Sequence, residues 1–400
     1  MIYLFIFTYI YARAILFELL LIKKTDLFLY FLIIFILCFS YSTGADWRYY
    51  QNFYENIVPS LTFTDFLNDN TYFERGYALL NIVFYNFLNY ELFMGLISGL
   101  CVYIIIKRIT QYSHNSYIAI SLYLSAFFLT ALLEPTIRQL IAMSIIIYGL
   151  KYIDTNKFLQ YLLVLILAAQ FHQSAYIFII LYFMNKINLD IKKTIILFIF
   201  MAIIILNLQT ILFYLGDYLT FLQKYLVYFQ SERIINYERS FIVSIYFSIK
   251  SIIYLIIIFY AYDQYPYRKI YIKNLAITSI ILGYLSGYFP ILIRINTYLE
   301  FFLCVALSYI GYLNISINNK KIIITSWTKI IIISLLIIMN IVTYGTSLLS
   351  TDLNQYKFFQ YKNYFIEIIK GNLHENGNTK IEHFNENAPV NMYEIDHIGK

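Results

Sequence analysis

Charge is scarce in this sequence. Only 13% of its 400 residues are Asp, Glu, Lys or Arg, about half the share of an ordinary soluble domain. A soluble fold of this length needs far more polar surface. The shortage therefore excludes a soluble globular protein, a disordered chain and a nucleic-acid-binding domain, and no nucleic acid is expected as a partner. Cysteine is nearly absent too. Cys38, Cys101 and Cys304 are odd in number, sit in apolar segments and lack metal spacing, which leaves no disulfide framework and a role in small apolar packing.

What is present is apolar: 60% of residues are hydrophobic and 20% aromatic, so the bilayer is the expected solvent. The excess of Ile, Tyr, Phe, Asn and Lys is what an A- and T-rich genome encodes, so the 43 Tyr are not 43 sugar-stacking sites. The run Ile2–Ile22 lacks a basic start and a small-residue cleavage site, and reads as a first span despite Arg13 and Glu18. A second span covers 26–42. Others lie near 91–107, 116–133, 136–152, 194–215, 241–260, 274–290, 292–313 and 328–345.

Segment 158–184 would be about 40 Å long as one helix, long for one crossing and short for two. As a short hairpin it gives inner flanks with 12 Lys and 2 Arg, against 7 cations outside; as one crossing the split is 10 to 11. The positive-inside rule selects the hairpin. The expectation is an all-α polytopic membrane domain, 1–345, of about 12 spans with both termini outside, followed by an outer tail, 346–400. All five prolines (Pro59, Pro135, Pro266, Pro290, Pro389) then fall at span edges or in loops. Gly95-x-x-x-Gly99 and Gly283-x-x-x-Gly287 permit close helix packing. Three outer segments exceed simple turns: 43–90 with an interfacial helix from Gly76 to Asn89, 216–240, and the tail, whose amphipathic stretch Asn354–Lys370 stops at Gly371.

The two faces use different cations. The inner Arg are Arg108 and Arg268, among twelve Lys; the outer flanks hold Arg48, Arg75, Arg138, Arg233, Arg239, Arg294 and Lys224. A topology signal needs only positive charge, so outer arginine points to another use. A planar guanidinium binds phosphate through paired hydrogen bonds. Arg233 and Arg239 adjoin Glu232 and Glu238 and read as ion pairs. Arg138 and Arg294 sit just inside outward span ends, after Pro135 and Pro290, at a depth where ionisable groups face a cavity or a partner. Arg138 precedes Gln139, and Arg294 precedes Asn296, Tyr298 and Glu300; such clusters suit a pyrophosphate and sugar hydroxyls. Lys329 can snorkel inward, and Lys250 has no functional account.

His172 is the one histidine of the apolar body, at the hairpin tip in Gln170-Phe171-His172-Gln173-Ser174. It is a candidate general base or phosphate contact. The absence of a second histidine with an acid beside it argues against a metal. The first outer loop adds Asp46 and Glu74 as acid–base groups or sugar-hydroxyl acceptors. Trp47 and Tyr50 are stacking candidates, with Arg48 and Arg75 beside them. A loop clasp between acid and arginine, with interfacial aromatics, is equally compatible with these residues.

Gly44-Ala45-Asp46 with Tyr50, Glu74-x-Gly76-Tyr77, Ile137-Arg138-Gln139 with Ala142, Phe171-His172-x-Ser174, and Arg294-Ile295 with Tyr298 follow one another on one face. In this order, over about residues 40–315, the chain resembles the EpsG family of Wzy-like polysaccharide polymerases. The resemblance implies a helical bundle like other membrane glycosyltransferases, of the GT-C type, with a cavity open toward the outer leaflet. It implies transfer of a growing glycan from undecaprenyl pyrophosphate to the next lipid-linked repeat unit of an O-antigen, capsule or exopolysaccharide. This would occur at the outer face of a bacterial cytoplasmic membrane, without metal or other cofactor and with a chain-length regulator as a candidate protein partner. Asp46, Arg138, His172 and Arg294 are its catalytic candidates. An O-antigen ligase uses the same donor but a large outer loop not seen here. A flippase would show two related halves, and a membrane acyltransferase would need an acid beside its histidine.

Overall fold

The computed structural model describes residues 2–19, 27–41, 47–62, 64–65, 73–125, 136–207, 210, 214, 241–286, 292–317, 320–323, 326–349, 362–371 and 373. Asp46, Pro135, Gly287, Pro290, Lys224, Arg233, Arg239 and the tail histidines lie outside these residues.

A chain this apolar must bond its backbone to itself, and helices do so within one segment. The fold is accordingly helix-rich. Among the described residues three helices are long and apolar enough to cross a membrane: Tyr90–Tyr112, Val243–Tyr262 and Leu292–Tyr312. Leu27–Cys38, Phe158–Ala169, Gln173–Met184, Ile270–Leu285 and Trp327–Met339 are shorter apolar helices. The one sheet among the described residues is an antiparallel hairpin in the expected inner loop. It pairs β1 (Asn314–Ile317) with β2 (Lys320–Ile323), in the register Asn314↔Ile323.

In chain order the helices used below are α1 (Ile2–Glu18), α2 (Leu27–Leu32), α3 (Trp47–Asn52), α4 (Arg75–Tyr85), α5 (Tyr90–Tyr112), α6 (Ser116–Tyr123), α7 (Ile137–Asp154) and α8 (Phe158–Ala169). They continue with α9 (Ile180–Met184), α10 (Ile191–Leu206), α11 (Phe241–Ile257), α12 (Ile270–Leu285), α13 (Leu292–Leu307), α14 (Ser326–Leu349) and α15 (Tyr364–Lys370). A π-helical turn, Ile33–Cys38, follows α2, and another, Phe53–Ile57, follows α3.

The chain divides into two units. The first comprises Met1–Gln111, Ile120–Ile179 and Ser334–Lys400. Within it, a Cβ added at Gly95 would stand 2.2 Å from the Phe39 ring, and one at Gly99 would stand 3.2 Å from Ile34. The first small-residue pattern is thus where the second span packs on α5. The hairpin also forms: α8 turns at Gln170–His172 into the 3-10 helix Gln173–Ile179, and the Tyr161 hydroxyl donates across the fold to the Phe178 carbonyl at 2.9 Å. The interfacial helix expected at 76–89 is α4, which ends at Tyr85; the Tyr54 hydroxyl donates to the Leu88 carbonyl in the connection to α5.

The second unit comprises Tyr112–Ala119 and Ile180–Ile333. Here α12 and α13 are joined by Ser279, whose hydroxyl donates to Asn296 Oδ1 at 2.9 Å. Lys273 is buried, yet its ammonium bonds Asn188 at 2.6 Å and Asp263 at 3.1 Å, and Arg268 pairs with the same Asp263 oxygen at 2.7 Å. A buried cation is tolerable when its hydrogens are taken up in this way.

Candidate functional site

The first unit brings four of the sequence-nominated segments together. Arg138 lies in the first turn of α7, and Glu74 is the residue preceding α4. Glu74 does not cap its own helix; its carboxylate forms an ion pair with Nη1 of Arg138. The Arg138 Nε–H donates to the Tyr50 hydroxyl at 3.3 Å, and the guanidinium lies 4.4 Å over the Phe73 ring. Carboxylate, phenol and ring fix the plane of the cation from three sides. A guanidinium has five N–H donors, and these contacts engage two of them among the described residues. The Arg138 side chain keeps 25% exposure, against 13% for Glu74.

The aromatic bed beneath this cation is continuous. Tyr50 contacts Phe73 at 5.3 Å and Tyr77 at 5.7 Å, and Phe53 contacts Phe73 at 4.8 Å between ring centres. The Tyr50–Tyr77 and Phe53–Phe73 pairs are edge-to-face and the Tyr50–Phe73 pair is tilted, contacts that hold ring orientation. Burial pushes the Tyr77 phenol well above its ordinary pKa, so it stays protonated and is not a base.

Gly76 joins this cluster to the hairpin tip. Its N–H donates to the Gln170 carbonyl at 2.8 Å, and a Cβ there would sit 2.7 Å from Gln170 Cβ and its carbonyl oxygen. Only glycine permits that approach. Two residues beyond Gln170, His172 Nδ1 lies 2.6 Å from Ser174 Oγ. A neutral ring donating Nδ1–H to Ser174 turns its other nitrogen, Nε2, into the acceptor.

The remaining candidates of this unit are placed differently from one another. Trp47 is buried, 3% exposed, with its carbonyl accepting from the Tyr90 hydroxyl at 3.2 Å. Gln139 is buried in α7, Arg48 lies 5.7 Å from the Tyr49 ring, and Arg75 is exposed. Phe73 was not nominated from sequence; its only signal there is an aromatic ring beside Glu74.

In the second unit Arg294 is exposed near the start of α13, and its carbonyl accepts from the Thr297 hydroxyl at 2.8 Å. Asn296 and Tyr298 are buried, and the Asn296 side chain faces Ser279 and Gly283 on α12. Glu300, 6% exposed, is an electrostatic partner of Lys250 on α11, itself 8% exposed, with its ammonium 5.8 Å from the Phe247 ring centre and 5.6 Å from that of Tyr254. The embedded lysine left unexplained by sequence thus has an acid beside it.

A family model described as the EpsG family matches residues 23–363. That stretch extends beyond both ends of the 40–315 motif order. No curated protein and no solved structure matches the chain.

Proposed function

The chain belongs to the EpsG family, and from that premise we propose that it polymerises lipid-linked oligosaccharide repeat units at the outer face of a bacterial cytoplasmic membrane. Membership ties it to polysaccharide-related, membrane-associated chemistry. The finer reading is carried by Arg138, a cation held in one plane with donors not engaged among the described residues.

In the proposed reaction an acceptor sugar hydroxyl on one lipid-linked repeat unit attacks the anomeric carbon of the growing glycan. The bond from that carbon to undecaprenyl pyrophosphate breaks, and the pyrophosphate leaves with the bonding electron pair. Arg138 neutralises charge developing on the leaving group, and Arg294 is the second candidate for that role. The acceptor proton passes to His172 or to Asp46. Glu74, Tyr50 and Phe73 keep Arg138 aimed, which removes the reorganisation a mobile arginine would need. An inverted anomeric centre follows from a single displacement. Gln139, Arg48 and Arg75 remain candidates for sugar contacts, and a chain-length regulator for a partner.

Deletion and complementation test this. The deletion strain is expected to carry surface glycan capped by a single repeat unit, and wild type to restore the ladder. Arg138→Ala and Arg138→Lys should each leave the ladder short, with transfer slowed about 100- to 1,000-fold. Lysine keeps the charge but loses the planar fork and the Phe73 stack. Loss of every unit in the deletion would favour a ligase or a flippase. Full ladders from Arg138→Ala and Arg294→Ala at normal protein levels would overturn the clamp.

A further inference from the structure

The last described part of the chain hooks onto the second span. The Asn363 Nδ2 donates to the Phe35 carbonyl at 2.9 Å, inside the π-helical turn. Tyr364 N–H donates to the Phe39 carbonyl and Tyr41 N–H to the Lys362 carbonyl, both at 2.9 Å, so Ser40 and Asn363 pair as an antiparallel bridge. Asn363 Oδ1 in turn accepts from Phe365 N–H at 3.1 Å and caps α15. Phe365 stacks on Phe35 at 5.6 Å and touches Phe39 at 4.9 Å. Asn89 Nδ2 donates to the Tyr364 hydroxyl at 2.8 Å, which ties the hook to the start of α5.

The groups satisfied here are those that the end of a helix leaves open, and Leu37, Cys38, Tyr41 and Asn363 around them are buried, so a missing partner is costly. The same end hands the chain to α3, which begins at Trp47 and carries Tyr50, the phenol bonded to Arg138. A second post stands at Trp47, whose carbonyl accepts from Tyr90. The hook therefore sets one end of the route into the site and Tyr90 the other. The family match ends at Asn363, so the amide lies within the matched stretch and Tyr364 and Phe365 lie just beyond it.

We propose that Asn363 is a positioning residue of the site: by fixing the exit of the second span it fixes where Tyr50 meets Arg138. The catalytic meaning of this rests on the polymerase reading; the contact itself does not.

Two substitutions separate the roles. Asn363→Asp keeps the oxygen that caps α15 and loses the N–H given to Phe35. Tyr364→Pro removes only the N–H given to Phe39, apart from its side chain, because proline suits the first residue of a helix and Asn363 is already extended (φ −115°, ψ 133°). Tyr364→Ala is its control. Full-length protein in proteoliposomes is supplied with the lipid-linked repeat unit that the deletion strain accumulates, and kcat, KM and amide hydrogen exchange are measured. Asn363→Asp is expected to lower kcat about tenfold with KM within about twofold of wild type. Exchange should quicken in 47–52 and stay unchanged in 137–154. Tyr364→Pro should exceed Tyr364→Ala in both effects. A purely structural role would lower the melting temperature and the yield of Asn363→Asp without moving kcat per folded molecule or exchange at 47–52, and that result would overturn the proposal if wild type polymerises. Faster exchange at 47–52 in a protein whose wild type does not polymerise would retain the contact and refute the polymerase reading.

Discussion

Gly76→Ala is the smallest change that should pull the site apart. The new Cβ would stand 2.7 Å from Gln170 Cβ, 2.7 Å from its carbonyl oxygen and 3.0 Å from its carbonyl carbon. None of these is the far end of a flexible side chain, so the two segments must separate. Reaching ordinary contact at 3.4 Å requires a shift of about 0.7 Å. Overpacking of this size costs about 1–3 kcal/mol, and stretching the 2.8 Å hydrogen bond between Gly76 and Gln170 adds about 1 kcal/mol. The sum, about 2–4 kcal/mol, is smaller than the stability of most domains, so folded protein should remain. The displacement falls two residues from Glu74 on one side and two from His172 on the other. A misplacement approaching 1 Å can slow a reaction about 100-fold. The assay is repeat-unit polymerisation in proteoliposomes beside a thermal melt of the same preparation. Gly283→Ala is the control, since it meets only the Asn296 side-chain nitrogen, at 3.3 Å. Gly76→Ala with wild-type rate and wild-type melting would refute the reasoning.

Two further outcomes are expected from groups away from Gly76. Tyr54→Phe loses the 2.7 Å bond to the Leu88 carbonyl and should destabilise by about 1 kcal/mol at neutral pH. Burial pushes the Tyr54 phenol up to about 12, above its value in the unfolded chain, so the stability it contributes is complete below about pH 10 and is lost as pH rises toward about 12. The deficit of Tyr54→Phe should therefore shrink between melts at about pH 7 and about pH 11; an unchanged deficit would contradict the assignment. Lys250→Met should lower the amount of folded protein, since it leaves the buried Glu300 without the cation that offsets its charge, while Lys250→Met with Glu300→Leu should recover much of it. Fluorescence size-exclusion of detergent extracts reads both, and a double variant no better than the single one would show that the two groups are not coupled.

Much of the site was legible one residue at a time. Arg138 stood out as an ionisable group at a span edge, His172 as the one histidine of the apolar body, and Glu74 and Tyr50 as an acid and a stacking ring in the first outer loop. Their conjunction was not legible. Glu74 lies 64 residues and Tyr50 lies 88 residues from Arg138, and periodicity carries no information over such separations. The hairpin 158–184 was recoverable because lysine distribution constrains every later loop. Asn363 was passed over for the opposite reason: an uncharged amide in a tail leaves no electrostatic trace, although Gly371 did mark the end of its helix. Glu300 was nominated for sugar hydroxyls and Lys250 was left aside. Their electrostatic coupling comes from the folded chain and not from their spacing in sequence.

The π-turn at Ile33–Cys38 makes this chain sensitive to length in a way no substitution reproduces. Bonding i to i+5 stores one residue beyond the α-helical path, which amounts to about 100° on the helical wheel. Deleting one residue there would restore a regular helix and leave every remaining side chain chemically intact. It would also rotate Phe39, Ser40 and Tyr41 by that angle, away from the backbone groups of Lys362, Asn363 and Tyr364. The stored residue is therefore a phase setting between two stretches more than 300 positions apart. In alignments of related chains a one-residue gap within this span would signal a different attachment of the tail, where a change of amino acid would not.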